Sequence, residues 1–282
     1  MNLYNLKRIL VPLDMSETSL NALHTAICLA KKEDAVLYIL HVDEILPGAT
    51  NEDMHHLFSL RKNEDVLNAL TGSIIHTHEI KPCLIQKKGY VVESIISSSI
   101  ADQIDLIVMG THGASGFREG FIGANTYNVI KYAPCPVLTI PPKRKFSSFR
   151  KVLFPIRPVT GALMPYNAAC HLLSPNSTLE LLGVSHIRMD KELGILDKIA
   201  EEIKVKLGQD DVKLKMSWGN GVSISDDILQ YAADSNPDLI ILTSIVDTVT
   251  KLNFIGPYSQ KLINQSKIPL LSIKRLGIPA FA

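Results

Sequence analysis

Short apolar runs alternate with longer amphipathic segments along the chain. In the first half, runs rich in β-branched residues predict strands near residues 8–13, 36–42, 79–85, 105–109 and 136–140. The segments between them have helical periodicity and predict helices at residues 17–32, 52–71, 91–102 and 124–132, the first with Ser16 as its N-cap. Strands as continuously apolar as "RILVPL" and "DLIVM" are typical of a parallel sheet covered on both faces. The pattern therefore predicts an α/β fold with a doubly wound, five-stranded parallel sheet and right-handed crossovers.

This order of elements occurs twice. "RILVPLD" at 8–14 returns as "KVLFPIR" at 151–157, an offset of 143 residues, and "DLIVMG" at 105–110 returns as "DLIILT" at 238–243, an offset of 133. Strands of the second copy are predicted near residues 151–156, 178–184, 212–217, 238–242 and 269–273. We therefore expect a tandem duplication with domains at residues 1–143 and 149–282, joined by the polar stretch "PPKRKFSSFR" at 141–150.

Composition narrows the function classes. The 282 residues are 46% hydrophobic and 20% charged, with a formal net charge of +1, so neither nucleic acid nor an anionic membrane is an expected partner. The four cysteines are scattered without a C-x-x-C pair, which suits a reducing cytoplasm better than a disulfide framework. No apolar run approaches the roughly 18 to 20 residues that span a bilayer, and the N-terminus lacks the pattern of a signal peptide. The expected location is cytoplasmic.

Glycines cluster where the fourth strand ends. Gly110, Gly113 and Gly123 lie in "GTHGASGFREGFIGANT", while "PLDMS" with Asp14 follows the first strand. In a doubly wound sheet, ligands bind outside the carboxyl ends of the strands where the winding changes direction. We expect Gly110 and Gly113 to adopt positive φ and to admit a ligand to the main chain, with Gly123 opening a helix whose N–H groups favour an anion. The loop therefore predicts a phosphate cradle, although it matches neither the dinucleotide fingerprint nor the P-loop and lacks a P-loop lysine.

These residues resemble the universal stress proteins. The resemblance is carried by "ILVPLDMSETS" at 9–19, "LYILHV" at 37–42, "DLIVMGTHGASG" at 105–116 and "GANTYNVIKYAPCPVLTI" at 123–140. It implies a tandem member of that family, with an adenine nucleotide alpha hydrolase-like α/β fold, sheet order 3-2-1-4-5 and dimerisation through the fifth strand. The implied ligand is ATP, or AMP or ADP, with Mg²⁺ as a candidate companion.

The resemblance also assigns site residues by position. Those that would border the adenosine are Pro12, Leu13 and Asp14, the last near the ribose or a metal-bound water. Main-chain groups of Val42 would meet the adenine edge. The ribose and α-phosphate would lie over Met109 and Gly110, and the wall would continue through His112 and Gly113. The phosphates would meet Gly123, Ala124, Asn125 and Thr126 at the start of the helix.

Ala124 departs from the family pattern. The family usually has Ser or Thr directly after the third glycine, and its hydroxyl donates to phosphate. Losing a hydrogen bond to a charged group costs about 1.5 to 3 kcal/mol, or up to about a hundredfold in affinity. The Thr126 hydroxyl is the candidate to replace it.

The second copy has lost most of the loop. At these offsets Gly110 becomes Thr243, Gly113 becomes Val246 and Asp14 becomes Arg157, and only Gly123 keeps a glycine, Gly256. Side chains at Thr243 and Val246 would obstruct a close approach to the main chain, and Pro257 removes an N–H at the helix start. We expect this copy not to bind ATP in the same manner and to complete an intramolecular pseudo-dimer.

The predicted function is nucleotide-dependent regulation in a stress response, through an unidentified protein partner or through assembly as a homodimer or pseudo-dimer. One alternative is slow ATP hydrolysis or autophosphorylation, with Asp14 placing a metal and Thr126 or Ser115 accepting phosphate. Another is a ligand-free dimerisation scaffold.

The sequence gives less support to a metal site or to a cysteine nucleophile. A resident metal is not predicted, although His76 and His78 on one strand face, with His55 and His56, would be the residues to hold one. Cys135 is expected to be a packed residue rather than a nucleophile.

Overall fold

The computed structural model describes residues 5–44, 54–112, 122–142, 148–156, 164–184, 190–207, 213–218, 223–247, 254–255 and 257–276. The elements of the first half are β1 (Arg8–Pro12), α1 (Glu17–Glu33), β2 (Val36–Glu44), α2 (Met54–His78), β3 (Cys83–Gly89), α3 (Val91–Ala101), β4 (Leu106–Gly110), α4 (Ala124–Tyr132) and β5 (Val137–Ile140). The alternation of strand and helix predicted from the sequence is confirmed.

The second half repeats this order with two additions, a short 3₁₀ helix and an extra strand. Its elements are β6 (Phe149–Ile156), α5 (Met164–Ala169), the 3₁₀ helix (Cys170–Leu172), β7 (Leu173–Gly183), α6 (Asp190–Leu207), β8 (Lys213–Trp218), α7 (Ile224–Ser235), β9 (Leu239–Asp247), β10 (Phe254–Ile255), α8 (Pro257–Gln265) and β11 (Leu270–Leu276). Because β6 begins at Phe149, the last two residues of the predicted linker belong to a strand. The predicted domain boundaries, 1–143 and 149–282, stay a prediction.

One strand was predicted in the wrong place. The third strand was expected at 79–85 but runs over Cys83–Gly89, because α2 continues to His78. Leu67 and Ile74, seven residues apart, are both buried, and this helical spacing holds α2 against the sheet through its last turns. His76 and His78 therefore lie in a helix, which removes the strand face proposed for a metal. The side chains of His55 and His56 lie outside the described residues.

All of the main strands join one mixed sheet in the order β3-β2-β1-β4-β5-β11-β9-β6-β7-β8, with β10 paired to β9. Each half shows the predicted order 3-2-1-4-5, and the pairings within it are parallel apart from β9 with β10. The predicted α/β fold class is confirmed. Helices cover both faces, and the apolar cluster on each face contains side chains of both halves.

The two halves meet where β5 and β11 pair in antiparallel fashion. Leu138 lies opposite Leu271, Val137 opposite Ser272 and Thr139 opposite Leu270. At the offset of 133, Leu138 and Leu271 are equivalent, and the other two pairs exchange equivalent positions. The register therefore obeys a two-fold relation, as in an interface between identical subunits. This pairing covers the strand edge through which the family resemblance implied dimerisation.

A polar contact supports this junction on the α1 face. The Lys32 ammonium donates to the carbonyls of His171, at 2.7 Å, and Leu173, at 2.5 Å. Glu33 completes the contact, because its carboxylate lies 2.7 Å from Nδ1 of His171. The end of α1 thus satisfies carbonyl groups at the end of the 3₁₀ helix.

In the part of the chain that is described, no helix is long and apolar enough to cross a bilayer. Its histidine, cysteine and acidic side chains also form no group of three or more that could hold a metal ion.

We expect Leu271→Ala to lower the free energy of unfolding by about 2 to 5 kcal/mol, because truncating a buried leucine leaves a cavity. Leu271 is 0% exposed and lies at the centre of the junction. Val205→Ala is the control, since Val205 is 79% exposed and its truncation should change stability by less than about 0.5 kcal/mol. Urea unfolding of both variants measures the difference, and equal stabilities would contradict the role of the junction.

We expect Cys135 to resist alkylation in the folded protein. Burial, with a smaller contribution from the nearby Asp105 carboxylate, raises the pKa of its thiol to about 12, so the reactive thiolate is scarce at pH 8. Cys83 is exposed and serves as the internal control. Peptide mass spectrometry after iodoacetamide treatment should show Cys83 modified first; equal rates would refute this assignment of Cys135.

Candidate functional site

A cleft opens at the carboxyl ends of β1, β2 and β4. Its volume is about 280 Å³, close to the lower end of the roughly 300 to 1,000 Å³ typical of small-molecule sites. The lining residues are Pro12, Leu13, Asp14, Ser19, Leu40, Val42, Glu44, Val91, Ile95, Met109, Gly110, His112, Gly123, Ala124, Asn125 and Thr126. The structure thus brings eleven of the twelve residues predicted for the site together around one cleft. The twelfth, Gly113, lies outside the described residues.

Five lining residues were not predicted: Ser19, Leu40, Glu44, Val91 and Ile95. Leu40, Val42 and Glu44 alternate along β2, so their side chains share one face of the sheet. Val91 and Ile95 are four residues apart on α3 and therefore share one side of that helix. Alternation from Val42 could have found the two β2 residues, whereas the approach of α3 is a tertiary feature without a local signal.

Part of the cleft lining is apolar. Leu13, Leu40, Ile95 and Met109 are each less than 7% exposed, and Val42 joins them on the floor. Such a surface fits a flat, weakly polar ring that is removed from water on binding.

The N-terminus of α4 also lines the cleft. Gly123 is the N-cap residue and no side chain caps the helix. The first intrahelical bond runs from the Tyr127 N–H to the Gly123 carbonyl at 3.0 Å, so the N–H groups of Ala124, Asn125 and Thr126 precede it. Amides without a partner inside the helix, together with the helix dipole, favour a negatively charged group here.

Gly110 serves a different purpose from the one predicted. Among the described glycines only Gly89 has a positive φ, so the expected left-handed conformation at Gly110 is wrong. A Cβ at Gly110 would instead lie 2.8 Å from both Cβ and Oγ1 of Thr18 and 2.9 Å from its carbonyl carbon. Real Cβ atoms do not come this close to other atoms. Gly110 is therefore the residue that lets α1 approach β4.

Hydrogen bonds hold the segment that leaves β4. The Thr111 N–H donates to the Ile140 carbonyl at 3.1 Å, and the Gly123 N–H donates to the Thr111 carbonyl at 2.8 Å. The Thr126 hydroxyl donates to the Gly110 carbonyl at 2.9 Å. The Thr18 hydroxyl donates to the His112 carbonyl.

The bond made by Thr126 bears on two expectations. Thr126 is 3% exposed, and the proton of its hydroxyl is already donated to the main chain. Replacing the missing hydroxyl at position 124, or accepting a phosphoryl group, would each require this bond to break. The structure therefore disfavours both roles; Ser115, the other acceptor considered, lies outside the described residues.

The loop after β1 is equally well fixed. Ser16 caps α1 as predicted, because its hydroxyl oxygen accepts from the Ser19 N–H at 3.2 Å. Oδ1 of Asp14 accepts from the N–H of Ser16 at 3.0 Å and from its hydroxyl at 2.6 Å. Asp14 thus stays at the exposed mouth of the cleft in a defined orientation.

His41, which the sequence did not single out, holds the other side of this loop. Its Nδ1 lies 2.7 Å from the Leu13 carbonyl, and its Nε2 lies 3.5 Å from the Asp43 carboxylate. A carbonyl can only accept, so Nδ1 carries the proton and donates to Leu13. The Leu13 N–H in turn donates to the Leu40 carbonyl at 2.8 Å, so Leu13 is tied to β2 by both of its main-chain groups.

The corresponding region of the second half has a different course. β4 ends at Gly110, whereas β9 continues four residues past its counterpart Thr243 to Asp247 and pairs with β10. Helix α8 begins with Pro257, which has no N–H, where α4 begins with Ala124. Arg157 and Gly256 lie outside the described residues. The described differences agree with the expectation that the two halves do not offer the same site.

Comparison with known proteins identifies relatives of this chain. The model of the universal stress protein family matches residues 5–141. A universal stress protein of Methanocaldococcus jannaschii is 34% identical over 155 residues, which cover 51% of this chain and 86% of that protein. One from Thermus aquaticus is 28% identical over 134 residues, which cover 48% of this chain and 98% of the relative.

A solved structure extends the likeness of fold to both halves. The crystal structure of a universal stress protein from Archaeoglobus fulgidus superposes with a TM-score of 0.74 at 22% identity, covering 95% of this chain and 98% of that one. Together with the family model and the sequence relatives, this match shows that the chain belongs to the universal stress protein family.

Proposed function

We propose that the first half binds an adenine nucleotide, and that its occupancy regulates the assembly or partner binding of a stress-response protein. The observation that carries the proposal is a cleft lined both by apolar side chains and by the first residues of α4. A nucleotide likewise combines an aromatic base with an anionic tail.

Main-chain groups at Val42 are suited to the edge of the base. The Leu40 carbonyl points toward β1, because it accepts from the Leu13 N–H. Successive residues of a strand point their main-chain groups to opposite sides, so those of Val42 point the same way as those of Leu40. The pairing of β1 with β2 ends at Pro12 and Leu40. Val42 therefore presents its N–H and carbonyl beyond the end of β1, where an adenine edge can pair with them.

The charged side chains that line the cleft affect how it can bind phosphates. Among the described lining residues are two carboxylates, Asp14 and Glu44, and no lysine or arginine. Amide dipoles therefore have to offset the phosphate charge, and each further phosphate adds repulsion from the carboxylates. Carboxylate oxygens are ligands that Mg²⁺ prefers, so Asp14 is the residue that would hold it beside the phosphates. Titrations with and without Mg²⁺ test this part of the proposal.

Calorimetric titration of the purified protein with AMP and ATP tests the proposal directly. Saturable binding at one site per chain would support it. No heat of binding at millimolar nucleotide would overturn it in favour of the ligand-free scaffold.

Ala124→Pro should weaken binding while leaving the fold intact. Gly123 has φ −60° and ψ 145°, which suits a residue before proline, and proline is well tolerated at the first position of a helix. The substitution removes one amide from the start of α4, so we expect a loss of about tenfold or more in affinity for AMP. The matched control is Pro257→Ala, which makes the converse change in α8. If Pro257→Ala alters affinity and Ala124→Pro does not, the site has been assigned to the wrong half.

Ala124→Ser should strengthen binding. It supplies a hydroxyl at the start of α4, and a hydrogen bond to a charged group is worth about 1.5 to 3 kcal/mol, or about ten- to a hundredfold in affinity. Ala101→Ser, on the exposed end of α3, is the control and should leave affinity unchanged. Calorimetry at fixed salt measures both, and an unchanged affinity in Ala124→Ser would show that phosphate does not approach position 124.

A further inference from the structure

We propose that Thr18 is a positioning residue for the phosphate-binding part of the cleft, although it does not line the cleft itself. The proposal rests on the proposed function, because it assigns how α1 holds residues 110–112, next to the place where an anion would bind. Thr18 lies in the first turn of α1 and is 7% exposed. The described lining of the cleft includes its neighbour Ser19 but not Thr18.

The first part of the argument is the hydrogen bond to His112. Three hydrogen bonds to the main chain of residues 110–112 come from β5, α4 and the residue before α4. A further bond, from the Thr18 hydroxyl to the His112 carbonyl, comes from α1. Ser16 cannot substitute for it, because the Ser16 hydroxyl donates its single proton to Asp14. Thr18 therefore links His112 to the start of α1.

The second part is the close packing against Gly110. Any side chain at position 110 would overlap Thr18, at 2.8 Å from its Cβ and Oγ1. The missing Cβ at Gly110 and the side chain of Thr18 therefore occupy one shared space. This close packing restricts the positions that the backbone at residue 110 can take, as a preformed anion site requires.

The third part is a difference in sequence between the two halves. At the offset of 143, Thr18 is replaced by Gly161, and at the offset of 133, Gly110 is replaced by Thr243. The second half therefore has neither the hydroxyl of Thr18 nor the glycine of Gly110 at these two positions.

Thr18→Val tests the positioning role, because it removes the hydroxyl and keeps a β-branched side chain. We expect its affinity for AMP to fall by about tenfold, since the His112 carbonyl loses its hydrogen bond to α1 and residues 110–112 are held less firmly. Adenosine, which lacks the phosphate, should bind as tightly as to the wild type. Thr18→Ser retains a hydroxyl and should restore AMP binding.

Thr25→Val is the matched control. Thr25 is a buried threonine on the same helix, and its hydroxyl donates only to the Asn21 carbonyl one turn earlier. It should leave the affinities for AMP and adenosine unchanged. Equal loss of AMP and adenosine binding in Thr18→Val, or no loss of either, would overturn the positioning role.

The shared space is tested by thermal unfolding without ligand. Gly110→Thr should lower Tm by several degrees. If Gly110→Thr does not fold, the smaller change Gly110→Ala takes its place and should also lower Tm. Adding Thr18→Gly to Gly110→Thr should recover much of the loss, because it removes the side chain that a Cβ at position 110 would meet, yet AMP affinity should stay low. A double variant no more stable than Gly110→Thr would overturn the shared packing of the two residues.

These readouts separate the two proposals. If the wild type binds neither AMP nor adenosine, the proposed function fails and the phosphate role of Thr18 fails with it, while the Tm values still measure the coupling of Gly110 and Thr18. If the wild type binds AMP and Thr18→Val binds it equally well, only the inference on Thr18 fails.

Discussion

The site depends on the contact between β1 and β4 at the centre of the first half. These strands pair only at Ile9 with Leu106 and Leu10 with Ile107. Beyond that point β1 leads to α1 on one face and β4 leads toward α4 on the other, so the chain diverges and leaves a crevice at the carboxyl ends. The apolar wall, the amides of α4 and the packing of Thr18 on Gly110 are all consequences of this divergence. A cleft here needs no dedicated insertion, because the winding of the sheet produces it.

Much of this arrangement could be predicted from residue patterns. Helix α4 has the predicted bounds and α1 differs by one residue, because each has clear periodicity and a recognisable first residue. The third strand was predicted too early in the chain. Between α2 and β3 the residues are compatible with both the helical and the strand periodicity, so the pattern does not mark where the helix ends. The β9–β10 hairpin was missed because "TSIVDTVTKLNFIGPYS" was aligned to a loop and contains no two-residue turn signal.

Within the site, the residues were easier to predict than their physical roles. Gly110 was expected for its positive φ, but a glycine is required equally by a left-handed backbone and by a close approach, and only the coordinates separate the two. His41 was not considered, since its bond to the Leu13 carbonyl joins residues 28 apart in the chain. Thr126 was predicted to face a phosphate, yet its hydroxyl serves the Gly110 carbonyl. Side-chain contacts across elements have no signature in local periodicity.

The antiparallel junction of β5 with β11 limits how the two halves can cooperate. Because the strands of the halves run in opposite directions at this junction, their carboxyl ends lie on opposite edges of the common sheet. The second half therefore cannot contribute the ends of its strands to the cleft of the first. Contacts between described residues of the two halves include the shared sheet, the apolar clusters that span both halves, and the contact of Lys32 and Glu33 with His171. A ligand in the cleft would therefore act on the second half through packing rather than by touching it.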